Sequence, residues 1–466
     1  MRFALRKLAG LTLCLATSFS LAQANEAVSE TVQGAEQGFA ETFVAAVDHD
    51  PQFKRAYWTH QSELEESKLG VSALLPDVRL SAVYQYEDSD NLYTDPDNVG
   101  IYNEDLARSS GKLVDNYWRV TLRQPLYNAA AYEAYKRSKA TVEASGYRYQ
   151  RSEQELIYRV AERYLRVLLS AQQLFLNQQK LDALELKMDQ AQRARELGVG
   201  DQLQVLHVKS TRDLARSDLL QAKSHLNDAQ TLLNNLTGTE VNLPAEWVES
   251  SGTISPDFLA GTEEEWLQNV NNNFSVKDAR ARINQERHNL ASSKGEHKPT
   301  LNFSLSYLDR ESEDDLRTRK DAVAAIELNV PLYSGGHTQA SVRKARARLK
   351  ASEAEYGYVM AEKEQQIKLS YNRLISFKDR LLALAESRES SKGFLEAAER
   401  ELSLNVSDQA NVLDARTRLV DAQLQIAQTL NDYLLSDLIL RLEAGQLNQD
   451  RLSDYDQLFN SASGIR

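Results

Sequence analysis

Proline is missing from two very long stretches of this chain, between Pro125 and Pro244 and again after Pro331. Within the first, apolar residues recur at steps of three and four, at Ile157, Val160, Tyr164, Val167, Ala171 and Leu174. Leu374, Phe377, Leu381 and Leu384 repeat the pattern in the second. With no ring to break the backbone ladder and one apolar stripe to bury, such segments become long helices packed as coiled coils. A helix from Ala129 to Leu197 counts 69 residues and spans about 100 Å, far beyond the usual globular length. The chain turns back at Gly198-Val199-Gly200 and near Leu404-Asn405-Val406. Shorter helices return from these turns and end at Gly238 and Gly445.

The two stretches are copies of one another. Moved by 207 positions, Val160 falls on Ile367, Tyr164 on Tyr371, Val205 on Val412, Leu206 on Leu413 and Gly238 on Gly445. Upstream the shift is 223, with Lys54 on Lys277, Glu63 on Glu286 and Pro76 on Pro299, so the first copy carries about 16 extra residues. Repeats this long indicate two similar halves of one domain rather than a solenoid. Each copy opens with a helical stretch, about Gly38 to Leu69 and about Glu263 to Ser293. That helix and the returning one together match the long helix, so the two short helices are expected to stack end to end beside it.

Between the opening helix and the long helix, each copy alternates with period two. Val78, Leu80, Ala82, Tyr84 and Tyr86 are interleaved with polar residues, as are Leu301, Phe303, Leu305 and Tyr307 in the second copy. Return strands carry Trp118, Val120 and Leu122, and then Ala322, Ala324, Ile326, Leu328 and Val330. One apolar face at period two means strands, and each copy therefore holds one hairpin. Acidic loops are expected from Asp88 to Asp115 and from Asp309 to Asp321, and the prolines of Pro125-Leu126-Tyr127 and Pro331-Leu332-Tyr333 should end the pairing.

The first residues set the compartment. Arg2, Arg6 and Lys7 precede an apolar run from Leu8 to Leu21 and the small residues Ala22-Gln23-Ala24. This is the pattern of a secretory signal peptide over 1–24. Cys14, the single cysteine, lies inside it, so the exported chain should have neither a lipid anchor nor a disulfide. The formal charge of −12, or −15 without the three leader cations, argues against a nucleic-acid partner. A mean hydropathy of −0.51 resembles that of a soluble protein, but strands showing lipid only at every second residue average to such a value too. No H-E-x-x-H, G-x-S-x-G or phosphate-binding loop occurs, so neither enzyme, cofactor nor metal is expected. The organisation read from the chain is a leader, a first repeat over 25–240, a linker over 241–262, a second repeat over 263–446 and a tail over 447–466.

Several segments carry a family resemblance over about Gly38 to Gly445. They are Leu74-Leu75-Pro76, Gln124-Pro125-Leu126-Tyr127, Val330-Pro331-Leu332-Tyr333-Ser334-Gly335-Gly336, Gln204-Val205-Leu206 and Asn411-Val412-Leu413-Asp414-Ala415. In this order and duplicated, they resemble the TolC family of outer-membrane efflux proteins. The resemblance implies a mainly α fold with a small β part. Four strands per chain would contribute to a trimeric 12-stranded outer-membrane β-barrel, and the coiled-coil helices to a periplasmic tunnel. It also implies a periplasmic adaptor (membrane fusion) protein, an inner-membrane transporter of ABC or RND type, and passive export of drugs or, by type I secretion, of proteins. Physical reasoning is compatible, because lipid tolerates only helices or closed barrels and four strands cannot close alone.

By the resemblance, the helical tips close the tunnel around a constriction. The residues placed there are Asp408, Asn411 and Asp414, with Gln204 and His207 as repeat mates of the last two. Ser407 stands at the family's locking arginine and Leu402 at its tyrosine, which implies a weaker lock. Asp414 is also open to a plainer reading, as an acid near a helix start. Adaptor contact would involve Gly198, Val199 and Gly200 with Asn405, Val406 and Ser407. Alternation puts Leu80, Val120, Phe303 and Leu328 on the lipid side. The rival reading, a soluble periplasmic coiled-coil scaffold or adaptor, explains the helices and the leader but not two alternating hairpins.

Overall fold

A computed structural model of the chain describes residues 38–93, 108–241, 261–313, 317–404 and 409–449. The leader therefore lies outside the described residues, as do Asn405, Val406, Ser407 and Asp408.

The opening helix is broken in two, α1 (Phe39–His49) and α2 (Pro51–Ser72). The Ala, Glu and Lys content of the sequence suggests a single helix here. The break comes from Asp50: a residue before proline is pushed to extended backbone, and Asp50 has ψ 115°. Its carboxylate accepts from the Gln52 and Phe53 amides, and Pro51 takes the first helical position, where it is tolerated. In the second copy the opening stretch is also divided, into α5 (Glu263–Gln268), a 3-10 turn at Asn269–Asn272 and α6 (Phe274–Gly295). There Asn273, the repeat mate of Asp50, caps α6 by accepting from Ser275 N.

Four strands follow the predicted order: β1 (Asp77–Tyr93), β2 (Arg108–Asn128), β3 (Thr300–Ser312) and β4 (Arg319–Asn329). They form one antiparallel meander in chain order, with β2 and β3 joining the two repeats. The ladder runs well past the expected start of the first loop: Asp88 pairs with Lys112, and Leu92 with Ser109. Backbone pairing does not need apolar side chains, and opposite charges on facing residues support it. Pro125 does not stop pairing either. A register shift between Pro125 and Tyr127 absorbs it as a bulge, and pairing resumes to Asn128 opposite Thr300. At the other copy β4 does end just before Pro331.

β2 passes directly into α3 (Ala129–Glu196), whose 68 residues make it about 100 Å long. Asn128 caps it by accepting from Ala131 N. The equivalent helix α7 (His337–Ser403) has 67 residues. The returning helices are α4 (Gln202–Thr237) and α8 (Gln409–Glu443). On α4, Val208, Ala215, Ala222, Ala229 and Leu236 are all buried at seven-residue steps, the seam of a left-handed coiled coil.

The helices stand in four columns: α2 with α4, then α3, then α6 with α8, then α7. The expected end-to-end stacking is thus present in both copies. A large core at mid-height joins both repeats through Leu156, Ile157, Leu168, Ile367, Leu374, Tyr433 and Leu434. At each stacking junction a left-handed glycine ends the returning helix: Gly238 (φ 74°) against His49 and Gly445 (φ 68°) against Asn272 and Asn273. A Cβ on Gly445 would come within 2.6 Å of the Asn272 backbone, so only glycine lets the helix ends meet. Arg148 ties three columns together, reaching Glu63 on α2 at 2.7 Å and Asp278 on α6 at 3.1 Å. Burial raises the Glu63 pKa, but bonds from Ser145 and Arg148 and the nearby charges outweigh it and hold the carboxyl below its usual range. Among the described residues β1 and β4 each pair on one side only, and no described helix is long and apolar enough to cross a membrane.

Candidate functional site

Strand register decides which side chains share a face of the sheet. Leu80 lies opposite Val120, and Val120 opposite Tyr307. Phe303, four residues from Tyr307, lies opposite Ile326, two residues from Leu328. Leu80, Val120, Phe303 and Leu328 therefore occupy one face, as alternation placed them. Leu80 is 71% exposed and Leu328 64%, an apolar surface left uncovered by the chain itself. Trp118 and Tyr307 meet on it near the loop end with ring centroids 5.2 Å apart and planes tilted by 41°, and Tyr84 and Tyr86 are exposed on the same face. Tyr127, opposite Leu301, sits on the same face at the helix end. The two aromatic levels are about eight residues apart on β3, roughly 26 Å along the strand and about 20 Å in height at a barrel strand's tilt of about 40°, somewhat less than the ~25 Å band between the aromatic girdles of a membrane barrel.

The other face is mostly polar, with Arg79, Ser81, Gln85, Arg119, Thr121, Ser304 and Ser306, and carries Val83, Leu113, Tyr117 and Leu308 toward its loop end. Near the loop end of this face Arg317, from the turn between β3 and β4, reaches Glu87 on β1 at 2.8 Å and lies 3.7 Å from Asp115 on β2. Alternation gave no hint of this contact, since Arg317 belongs to a segment with no periodic signal.

At the opposite end of the molecule, α3 and α4 are joined by a tight turn. The amides of Val199 and Gly200 both donate to Ala194 O at 2.9 Å, Gly198 takes φ 77°, and Asp201 caps α4. Val199 is 81% exposed, and Leu197 and Leu203 stand out beside it. Behind the turn Met188, Ala191, Val205 and Val208 pack together, while Leu402 packs against Ala398, Val412 and Ala415 in the second hairpin. Gln204, His207 and Asn411 are exposed, one residue before, two after and one before the buried Val205 and Val412.

Asp414 is not a bare acid. Lys187 of α3 forms an ion pair with it across the groove between α3 and α8, Lys180 pairs with Asp421 at 2.9 Å, and Gln173 donates to Gln428 at 3.4 Å. These rungs recur every seven residues on both helices, one per heptad of the shared stripe. The spacing was visible in the chain as Lys180 and Lys187 against Asp414 and Asp421, but pairing needs the two repeats side by side. Both lysines bury their stems along the groove and keep their charge at its rim. Removing the Lys187 charge should expose the Asp414 charge to the tip. In planar bilayers, Lys187→Ala should raise cation selectivity and strengthen block by a multivalent cation several-fold over the parent. Identical block in the two proteins would place Asp414 away from the ion path.

Among the described residues no cluster of His, Asp, Glu or Cys could hold a metal ion. Comparison with known proteins agrees with this architecture. The chain is 26% identical over 420 residues to the alkaline protease secretion protein AprF of Pseudomonas aeruginosa, covering 88% of this chain and 85% of that protein. It is 24% identical over 471 residues to the proteases secretion protein PrtF of Dickeya chrysanthemi, covering 99% and 96%. The structure of the outer membrane protein VceC from Vibrio cholerae superposes with a TM-score of 0.70 at 13% identity, covering 87% of this chain and 96% of that one, a likeness of fold. The sequence profile described as outer membrane efflux protein matches residues 43–239 and 268–446. That match covers most of the chain, and the chain belongs to the outer membrane efflux protein family.

Proposed function

We infer that this chain forms a passive outer-membrane duct whose helices continue the conduit through the periplasm. The carrying observation is the one-sided sheet joined without a loop to a helix about 100 Å long. An apolar outer face suits lipid, a polar inner face suits water, and open edges at β1 and β4 require further strands. Three chains supply twelve strands and twelve helical columns, so a homotrimer closes both walls. A periplasmic adaptor would dock near Gly198, Val199 and Gly200, linking the tip to an inner-membrane transporter of ABC or RND type. Two relatives named for protease secretion support a polypeptide cargo for this chain, with small toxic compounds as the alternative.

Fractionation tests the duct against the soluble-scaffold reading. The protein should stay with outer membranes and run as a heat-modifiable oligomer, and recovery in the soluble periplasm would reject the duct. Deletion of the gene should remove a secreted protein from the medium or raise sensitivity to toxic compounds. Loss of neither would reject the export role.

A further inference from the structure

Where the sheet gives way to helices, a cavity of about 610 Å³ opens between the β2–α3 junction and the end of α6. Leu126, Tyr127, Tyr132, Glu133, Lys294 and Lys298 line it. Its position follows from register. Tyr127 shares the apolar face with Leu301 and Phe303, so the cavity continues that face just beyond its helix-side aromatic level. Apart from Leu74, in the linker before β1, the lining residues come from the end of β2, the start of α3 and the end of α6.

Two features set its chemistry. Lys294 and Lys298 lie one turn apart at the end of α6, where Lys298 N donates to Gly295 O at 2.9 Å, and neither has an ion-pair partner among the described residues. The one lining carboxylate, Glu133, already binds Lys136 at 3.0 Å and His288 at 2.9 Å, which leaves the two lysines uncompensated. Lys136, paired to Glu133, also lies 4.5 Å over the Tyr132 ring and holds that ring at the rim. Beside these charges Leu126, Tyr127 and Tyr132 are each about half exposed. Tyrosines beside cations at the end of an apolar band mark the headgroup level of a bilayer.

We propose that this cavity binds an anionic glycerophospholipid of the periplasmic leaflet, with Lys294 and Lys298 pairing to its phosphate, Tyr127 and Tyr132 flanking the glycerol, and Leu126 under the first acyl carbons. The volume is that of a small-molecule site. The proposal rests on the reading that the apolar face meets lipid.

Native mass spectrometry of the purified oligomer tests it, after each variant has been shown to fractionate with the outer membrane. A parent protein that does not fractionate with the outer membrane rejects the barrel reading, a variant that does not is set aside as misfolded, and failure at the binding step rejects only the lipid site. Titrated phosphatidylglycerol should add one tightly held molecule per chain, in preference to phosphatidylethanolamine. Each lysine lost should weaken that binding about fivefold, so Lys294→Ala with Lys298→Ala should leave it roughly 25-fold weaker. Leu74→Trp, which fills the cavity from the α2–β1 linker and keeps both lysines, should abolish it, while Lys344→Ala on exposed α7 should not change it. Unchanged phosphatidylglycerol binding in the double variant would overturn the proposal. So would equal binding of phosphatidylethanolamine, and so would equally tight binding of free glycerol phosphate, which would make this a soluble phosphate site.

Discussion

Arginine in place of Leu80 should reduce the heat-modifiable oligomer in the outer membrane, while arginine in place of its neighbour Ser81 should leave it nearly at the parent level. The difference comes from one step of register. Leu80 faces away from the polar side with Val120 opposite it, and Ser81 points to the polar side with Arg119 opposite. A cation on the lipid face costs about 2–4 kcal/mol at the midplane and falls to about 0–1 kcal/mol at the interfaces, and a homotrimer meets the penalty three times. Leu80 stands in the row of Tyr307 and Leu328 in the row of Tyr127, so both lie toward the aromatic levels, and Phe303 should show the larger loss. Val120 and Leu328 should behave like Leu80, and Thr121, Ser304 and Asn329 like Ser81. Quantifying unheated oligomer bands from outer membranes checks all eight variants. Equal loss in the two sets would mean that the apolar face is not the lipid face.

The elements that a single periodicity describes were legible in the chain. Absence of proline and three-four spacing marked α3 and α7 to within a few residues, and period two marked both hairpins and the face of Leu80. What escaped reading was set by particular side chains rather than by pattern. Asp50 before Pro51 splits a stretch whose composition reads as one helix. The strands continue to Tyr93 and from Arg108 because the backbone ladder outlasts the apolar alternation. Pro125 survives within a strand because a bulge frees the ladder from its missing donor. At the tip, counting to the positions Asn411 and Asp414 was possible from motif order, but the pairing of Asp414 with Lys187 joins residues 227 positions apart. Such contacts depend on which columns stand next to each other, and the columns are fixed only by the assembled core.

Lys363→Ala should destabilise the assembled protein by about 3–5 kcal/mol, whereas Lys363→Leu combined with Glu443→Leu should restore parent stability or exceed it. Lys363 of α7 lies 2.9 Å from Glu443 at the end of α8, with side chains only 8% and 13% exposed. Asn273, capping α6, donates to the Glu443 carbonyl at 2.8 Å and lies 3.3 Å from its carboxylate. Three helices of the second repeat thus meet on one buried pair. Removing the lysine leaves a largely buried carboxylate with only the Asn273 amide beside it, which is the expensive way to break such a pair. Replacing both partners by apolar groups avoids the desolvation of two ions, and is often neutral or stabilising. The protein contains that substitution already. Shifted by 207 positions, Lys363 falls on Leu156 and Glu443 on Leu236, and both leucines are buried in the common core. In the first repeat the junction charge sits instead on Asp50, mate of Asn273, which Arg159 holds at 2.5 Å. The apolar solution is therefore compatible with this helix geometry, and the Asn273 bond to the Glu443 carbonyl survives because it uses backbone. Temperatures of oligomer dissociation for the parent, Lys363→Ala and the double leucine variant give the comparison. If the double variant were as unstable as Lys363→Ala, the pair would supply packing or orientation that two leucines cannot, and the two repeats would differ in more than their charges.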